Sequence, residues 1–375
     1  MINRISRGLL LALAMALAAL VLAGAGGVTP VQGFAPGLQD LQTLNAGLPA
    51  SEYGYHPDND GSWGESWSMQ GSDAAGNYVM ALISVSNYNP FHKFGGTADL
   101  FYYPAGGGKF KVHQEFKSDE IKADTKRVMV QMGDVLFQGD RPAYSLKAKV
   151  KDMEFDLAFK VETQDMKLGQ GRILFGDKKD RSWGLNILGP RASVSGTVVC
   201  QGKTIPFSGR AYLDHGWSTQ KLYKFSSKWY VLRILQDDFS MNAIQMIFKN
   251  GFEPGKTQAI FMTQGDKIIA NSGALDLVPI GGSPDAKSGV VLPDSYEVHY
   301  SIGDTKLNGT VKMTRKIEGL NVLDQLSPVV RGLIRGLVTD PWQFRFEGQA
   351  DLTLEHGGQV RKITGRTVGE VHSYK

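Results

Sequence analysis

Beyond Trp63 the chain is dominated by a two-residue alternation of apolar and polar side chains. Tyr144, Leu146, Ala148 and Val150 alternate with Ser145, Lys147, Lys149 and Lys151; Met153, Phe155, Leu157, Phe159 and Val161 alternate with Glu154, Asp156, Ala158, Lys160 and Glu162. A period of two puts each apolar set on one side of a strand. The two runs therefore predict an antiparallel hairpin with one dry and one wet face, turning near Lys151-Asp152. The same period returns at Trp342, Phe344, Phe346, Gly348, Ala350, Leu352 and Leu354. A strand of that length with one dry face suits a barrel wall, where every second residue points inward. Counting similar runs predicts roughly 16 to 20 strands of the usual 5 to 10 residues, enough for two barrels of about eight. The expected fold class is all-β, two tandem antiparallel barrels.

Gly189-Pro190 is a turn signal between the run ending there and the alternation that begins at Val194. It predicts a domain boundary, with one barrel over 63–190 and another over 191–375. Residues 26–62, rich in Gly, Pro and Asn, read as a linker without a function of its own. Ahead of them, Arg4 and Arg7, an uncharged apolar run over 9–23 and Ala23-Gly24-Ala25 have the layout of a secretory signal, 1–25. The expected location is outside the cytoplasm, periplasmic or at the envelope. One helix is expected in the C-terminal half: Ser327 caps, Pro328 suits the first helical position, and Val330, Leu333, Ile334 and Leu337 form an apolar stripe beside Arg331 and Arg335. It either buttresses the second barrel or presents 328–338 to a membrane surface of anionic headgroups.

With 375 residues, 42% of them hydrophobic, the chain can bury full cores. Its net charge of +4 falls to +2 without Arg4 and Arg7, which leaves no basic footprint for nucleic acid. Cys200 is the single cysteine, so stability has to come from burial and not from an internal disulfide. The seven histidines (His56, His92, His113, His215, His299, His356 and His372) are scattered, with no metal-ligand spacing, and no metal is expected. No cofactor is expected either. Gly95-Gly96 and Gly106-Gly107-Gly108 lack the Lys and Ser/Thr of a phosphate loop, and the triplet reads as a hairpin tip.

Chemistry concentrates at Asp214, His215 and Trp217. In an apolar pocket a carboxylic acid of raised pKa can protonate a double bond, a neighbouring imidazole can orient the acid or the attacking water, and an indole can stabilise the developing cation. The plainer reading makes Asp214 a turn cap, His215 the partner of a buried carbonyl and Trp217 a plug at a barrel end. Trp229 and Tyr230, on the next strand, are candidate ligand-binding residues. Asp237-Asp238 reads as a solvated turn. Phe91, Phe94, Phe101, Tyr102 and Tyr103 line either a greasy entrance or a core.

Two resemblances bear on these motifs. Tyr212-Leu213-Asp214-His215-Gly216-Trp217, with Glu65-Ser66-Trp67 as an opening strand, resembles the carotenoid hydratase family, also called hydroxyneurosporene synthases. The resemblance implies two lipocalin-like domains and carries functional roles onto His215, Trp217 and the preceding acid, Asp214. The further Tyr and Asp of that family find no position here; Trp229-Tyr230 lies nearest. Separately, Gly189-Pro190-Arg191-Ala192-Ser193-Val194-Ser195-Gly196-Thr197, the segment 202–210 and the unit over 323–342 resemble the survival-factor family of ceramide-transfer proteins, again with tandem lipocalin-like barrels.

Together these readings predict an exported carrier for a long apolar molecule such as a sphingolipid-like lipid, a sterol or an isoprenoid, held by burial at about 0.8 kcal/mol per methylene. The rival is a hydratase acting on an isoprenoid double bond, with Asp214 as acid. A structural envelope protein with collapsed barrels is the third reading.

Overall fold

The computed structural model describes residues 28–35, 47–87, 94–325 and 339–374, together with Gly332 and Arg335. The segment 1–25 expected to be a signal, Phe91 and most of the helix expected over 328–338 lie outside the described residues. Gly332 and Arg335 are helical, and Arg335 holds Asp340 at 2.8 Å. Among the described residues no helix is long and apolar enough to cross a membrane.

The architecture is almost entirely antiparallel β. The first sheet runs, in spatial order, Phe110–Lys117, Gly95–Tyr103, Tyr78–Ser86, Gly64–Asp73, Lys203–Ser218, Arg181–Cys200, Met153–Val161, Ala143–Val150, Val135–Asp140, Val128–Met132 and Ile121–Ala123. It curls until Val112 and Phe116, from one edge strand, join a single buried cluster with Tyr144, Phe155 and Val198. The second sheet runs Lys267–Ser272, Lys256–Gln264, Phe239–Phe248, Ser226–Leu235, Gln359–Tyr374, Pro341–His356, Thr305–Asn321, Ser295–Ile302 and Asp276–Ile280. Its seam is closed by amides: Gln245 donates to the carbonyl of Leu277 at 2.7 Å, and Gln258 accepts from the Leu277 N–H at 2.9 Å.

The expected hairpin forms as Ala143–Val150 and Met153–Val161, with Lys151 in left-handed backbone at the turn (φ 55°). The long alternating run forms Pro341–His356, and the glycine triplet is the tip between two strands. Strands number 25 among the described residues, more than expected, because two-residue pieces such as Phe252–Glu253 and Ser283–Pro284 are too short to show a period.

Two expectations change. Gly189-Pro190 makes no turn: Arg181–Cys200 runs through it as one strand, and the irregularity is absorbed as register shifts against Lys203–Ser218. The hydrogen-bond ladders change sheet between Ser218 and Ser226, not at 190. Nor are the described parts of 26–62 a bare linker. Thr29–Gln32 pairs antiparallel with Met166–Phe175 and parallel with Phe252–Glu253, and residues 47–58 pack across the first barrel, with Leu48 in its core.

The inward side chains of each barrel meet as a continuous buried cluster, Trp67 to Leu213 in the first and Tyr230 to Val371 in the second. Two open clefts lie outside these clusters: one of about 330 Å³ lined by Phe34, Glu52, Lys167 and Arg172, and one of about 340 Å³ lined by Asp285, Met313, Lys316 and Phe346. Between the barrels a third apolar cluster joins Trp183, Leu185, Ile187 and Tyr212 to Val231, Ile244 and Phe261.

Candidate functional site

The strand Lys203–Ser218 is buried on both faces over its last eight residues, because one face lines the first barrel and the other meets the second. Alternation then sorts the motif. Leu213, His215 and Trp217 share the inner face, while Tyr212 and Asp214 share the outer one. Asp214 is therefore not part of a constellation with His215 and Trp217.

On the inner face, pairing brings Lys203–Ser218 against Gly64–Asp73, with His215 opposite Trp67 and Trp217 opposite Glu65. Glu65 has no exposed side-chain surface, and its Oε1 lies 2.5 Å from His215 Nε2 and 3.1 Å from His56 Nδ1. Its Oε2 accepts the backbone N–H of His56 at 2.9 Å. Burial alone raises a carboxyl pKa, yet hydrogen bonds from His215 and His56 outweigh it and hold Glu65 below its ordinary value. Burial pushes His215 the other way, toward the neutral imidazole, against the pull of Glu65. Its Nδ1 is enclosed, with no hydrogen-bond partner among the described residues.

Aromatic rings fix both imidazoles. His215 stacks on Trp67, with centroids 4.7 Å apart and planes 11° apart, and His56 stacks on Trp217 at 4.1 Å and 17°. The guanidinium of Arg172 lies 4.5 Å over the Trp217 ring. Gly184, which pairs with both Arg172 and Trp217, is the reason Arg172 can reach. A Cβ at Gly184 would stand 2.9 Å from Arg172 Cγ and block the path across the strand.

Arg172 also faces Glu52 at 3.7 Å, and Lys167 holds the same carboxylate at 2.6 Å. Asn186, opposite His215 in register, donates to Glu52 at 3.0 and 3.1 Å. Against the effect of burial, Lys167 and Asn186 lower the Glu52 pKa. Glu52, Lys167 and Arg172 form the charged wall of the open cleft of about 330 Å³, and Phe34 and Leu174 supply its apolar wall.

Behind the strand, Asp214 sits in a polar layer between the barrels. Burial raises its carboxyl to about 7 despite Arg233 nearby and a hydrogen bond from Tyr212. Arg233 pairs with Glu370 at 3.1 Å, and Arg345 reaches Glu370 at 3.3 Å, Glu318 at 3.6 Å and the hydroxyl of Tyr103 at 2.6 Å. Burial would raise Glu370, but the two guanidinium groups hold it well below its ordinary value. Phe101 and Tyr103 belong to this layer, Tyr102 to the first core, and Phe94 packs against that core.

The two ligand-binding candidates part in the same manner as the motif. Trp229 lies between the barrels, 5.2 Å from Trp183 and 5.1 Å from His372, whereas Tyr230 points into the second core against Tyr296 at 5.6 Å. Asp237 and Asp238 form a turn as expected, held by Arg210 and Arg361. The scattered histidines hide a cluster: His56, Glu65 and His215 turn donor atoms to within 4.8 Å of one another, a set able to hold a metal ion. His56 was hidden by the loop-like composition around it, and no spacing rule links positions 56, 65 and 215.

The AttH-like family model matches residues 105–321. The ceramide-binding protein svf1 of Schizosaccharomyces pombe is 22% identical over 235 residues, 59% of this chain. The chain spans 61% of that relative's length. Among solved structures, a Nitrosomonas europaea protein described as an AttH superposes with a TM-score of 0.60 at 19% identity, covering 88% of this chain and 98% of that one. Kievitone hydratase from Nectria haematococca does so at 0.57 and 12%, covering 92% and 98%. CghA with Sch210972 gives 0.59 and 12%, covering 92% and 98%. These likenesses bear out the resemblance to the lipocalin-like superfamily of carotenoid hydratases and survival factors. By the span of its family match, the chain belongs to the AttH-like family.

Proposed function

We propose that this protein, in an exported form, binds and carries an amphiphilic lipid of the ceramide class. The observation that supports this most is the open cleft, where Phe34 and Leu174 face Glu52, Lys167 and Arg172 across about 330 Å³. One apolar and one hydrogen-bonding wall match a molecule with a polar head and a hydrocarbon tail. The volume lies at the small end of the roughly 300–1,000 Å³ of ligand pockets, so it suits a headgroup and its first carbons and not a whole lipid. The partial likeness to a protein named for ceramide binding favours the same class.

The test is uptake of fluorescent ceramide from vesicles, with mass spectrometry of lipid extracted from the purified protein. Arg172→Ala should weaken uptake about 10-fold, equivalent to about 1.4 kcal/mol. Absence of both co-purifying lipid and uptake overturns the proposal.

A hydratase is the second reading, favoured by the Asp214 carboxyl, which burial holds protonated close to neutrality, and by the fold likeness to kievitone hydratase. Asp214 and His215 face opposite sides of one strand, so a single substrate does not meet both, and the carrier is placed first. Incorporation of ¹⁸O from water into an isoprenoid alkene, lost by about 10²-fold or more in Asp214→Asn, would reverse that order.

A further inference from the structure

Hydrogen bonding within the chain leaves the His56, Glu65 and His215 cluster incomplete. His56 Nε2 lies 3.1 Å from the carbonyl oxygen of Ser51. A carbonyl only accepts, so a proton on Nε2 serves that contact, and in that tautomer the Nδ1 lone pair turns toward Glu65. That lone pair faces Glu65 Oε1 at 3.1 Å, and the same oxygen meets His215 Nε2 at 2.5 Å. In that tautomer two lone pairs face each other, and a positive centre completes the contact, a proton or a metal ion held by donor atoms that all lie within 4.8 Å of one another.

The surroundings suit the metal ion. Two imidazole nitrogens and one carboxylate oxygen are the donor set of three-ligand zinc sites that keep a further position open. The Ser51 carbonyl on the far nitrogen of His56 is the outer contact by which metal-bearing imidazoles fix their tautomer. The backbone N–H of His56 orients the Glu65 carboxylate, and stacking on Trp67 and Trp217 holds both rings in place. His56 is also the one donor of the three with exposed side-chain surface, 23% of it, which gives an ion a way in.

We propose that His56 Nδ1, Glu65 and His215 Nε2 bind one divalent transition-metal ion of the zinc type. The remaining coordination position is then free for water or for an oxygen of a bound ligand. Burial of the other two donors separates this arrangement from His113 and Asp99, a second imidazole and carboxylate 3.0 Å apart; Glu115 approaches the other ring nitrogen of His113 at 4.0 Å, and among the described residues these three do not form a metal-holding group.

The experiment uses the full chain without an affinity tag, stripped with chelator and then titrated with Zn²⁺ or Co²⁺. Metal content is read by elemental mass spectrometry and coordination by the visible bands of Co²⁺, with circular dichroism to confirm folding. Wild type and His113→Ala should each retain one equivalent. His56→Ala, chosen because its side chain is partly exposed, and Glu65→Gln should each bind at least ~10-fold more weakly, the low end for losing even an outer-shell partner. If Glu65→Gln does not fold, His56→Ala alone decides. Sub-stoichiometric uptake by folded wild type, or equal uptake by wild type and His56→Ala, overturns the proposal and leaves a shared proton as the positive centre. Lipid plays no part in the readout, so the outcome is independent of the carrier reading.

Discussion

Asp214→Asn perturbs the layer between the barrels at a group whose charge the fold disfavours. Burial raises the carboxyl from 3.8 to about 7. An acid raised by folding keeps its proton in the native chain after the unfolded chain has released it. Stability from this group is therefore fully present below pH ~4, declines as pH rises, and is lost above about 7. At ~1.4 kcal/mol per pH unit, the interval from 3.8 to about 7 amounts to roughly 4 kcal/mol. Asparagine does not ionise. Its Oδ1 still accepts from the Tyr212 hydroxyl, but its N–H donors enter a layer built around a carboxyl, a cost of ~1–2 kcal/mol. The variant should thus be ~1–2 kcal/mol less stable than wild type near pH 3, match it near pH 5 and be ~2–3 kcal/mol more stable at pH 8. Urea titrations followed by tryptophan fluorescence across that range measure the crossing. Parallel stability curves would refute the reasoning, since Asp214 would then be ionised or solvated alike in both states.

Arg345→Met leaves Glu370 and Glu318 buried with a counter-charge missing and should cost about 3–5 kcal/mol in urea unfolding. Arg345→Met with Glu370→Gln should recover part of that loss, and an additive double variant would show that the two groups are not coupled. Gly184→Ala should displace Arg172 from Trp217 because the new Cβ would stand 2.9 Å from Arg172 Cγ. The expected result is altered tryptophan emission and ceramide uptake reduced about 3- to 10-fold, less than about 1.4 kcal/mol in binding, with native far-ultraviolet dichroism retained.

Much of the fold was legible because alternation is local. The Tyr144 to Val161 hairpin, the Trp342 to Leu354 strand and the Asp237-Asp238 turn each follow from neighbours in sequence. Gly189-Pro190 misled because a bulged strand in a wide sheet tolerates what ends an isolated strand. The division of Asp214 from His215 was present in the strand assignment, since adjacent residues of a strand face opposite ways. What the sequence lacked was the knowledge that both sides of residues 211–218 would be covered, so that the supposed wet face carries Asp214 into a second interior. Arg345 and Glu370 make the same point: they occupy polar positions of alternating strands yet are buried against the other barrel. The association of His56 with Glu65 and His215 depends on contacts 9 and 150 residues apart in sequence, beyond any spacing rule.

The strand Gln359–Tyr374 lies in the interior of the second sheet, hydrogen-bonded on one side to Pro341–His356 and on the other to Ser226–Leu235. During synthesis, the backbone ladders of that sheet stay in two separate halves until this stretch has emerged. A chain interrupted at Gly358 would expose two raw sheet edges at once, on Pro341–His356 and on Ser226–Leu235, each a template for pairing with another chain.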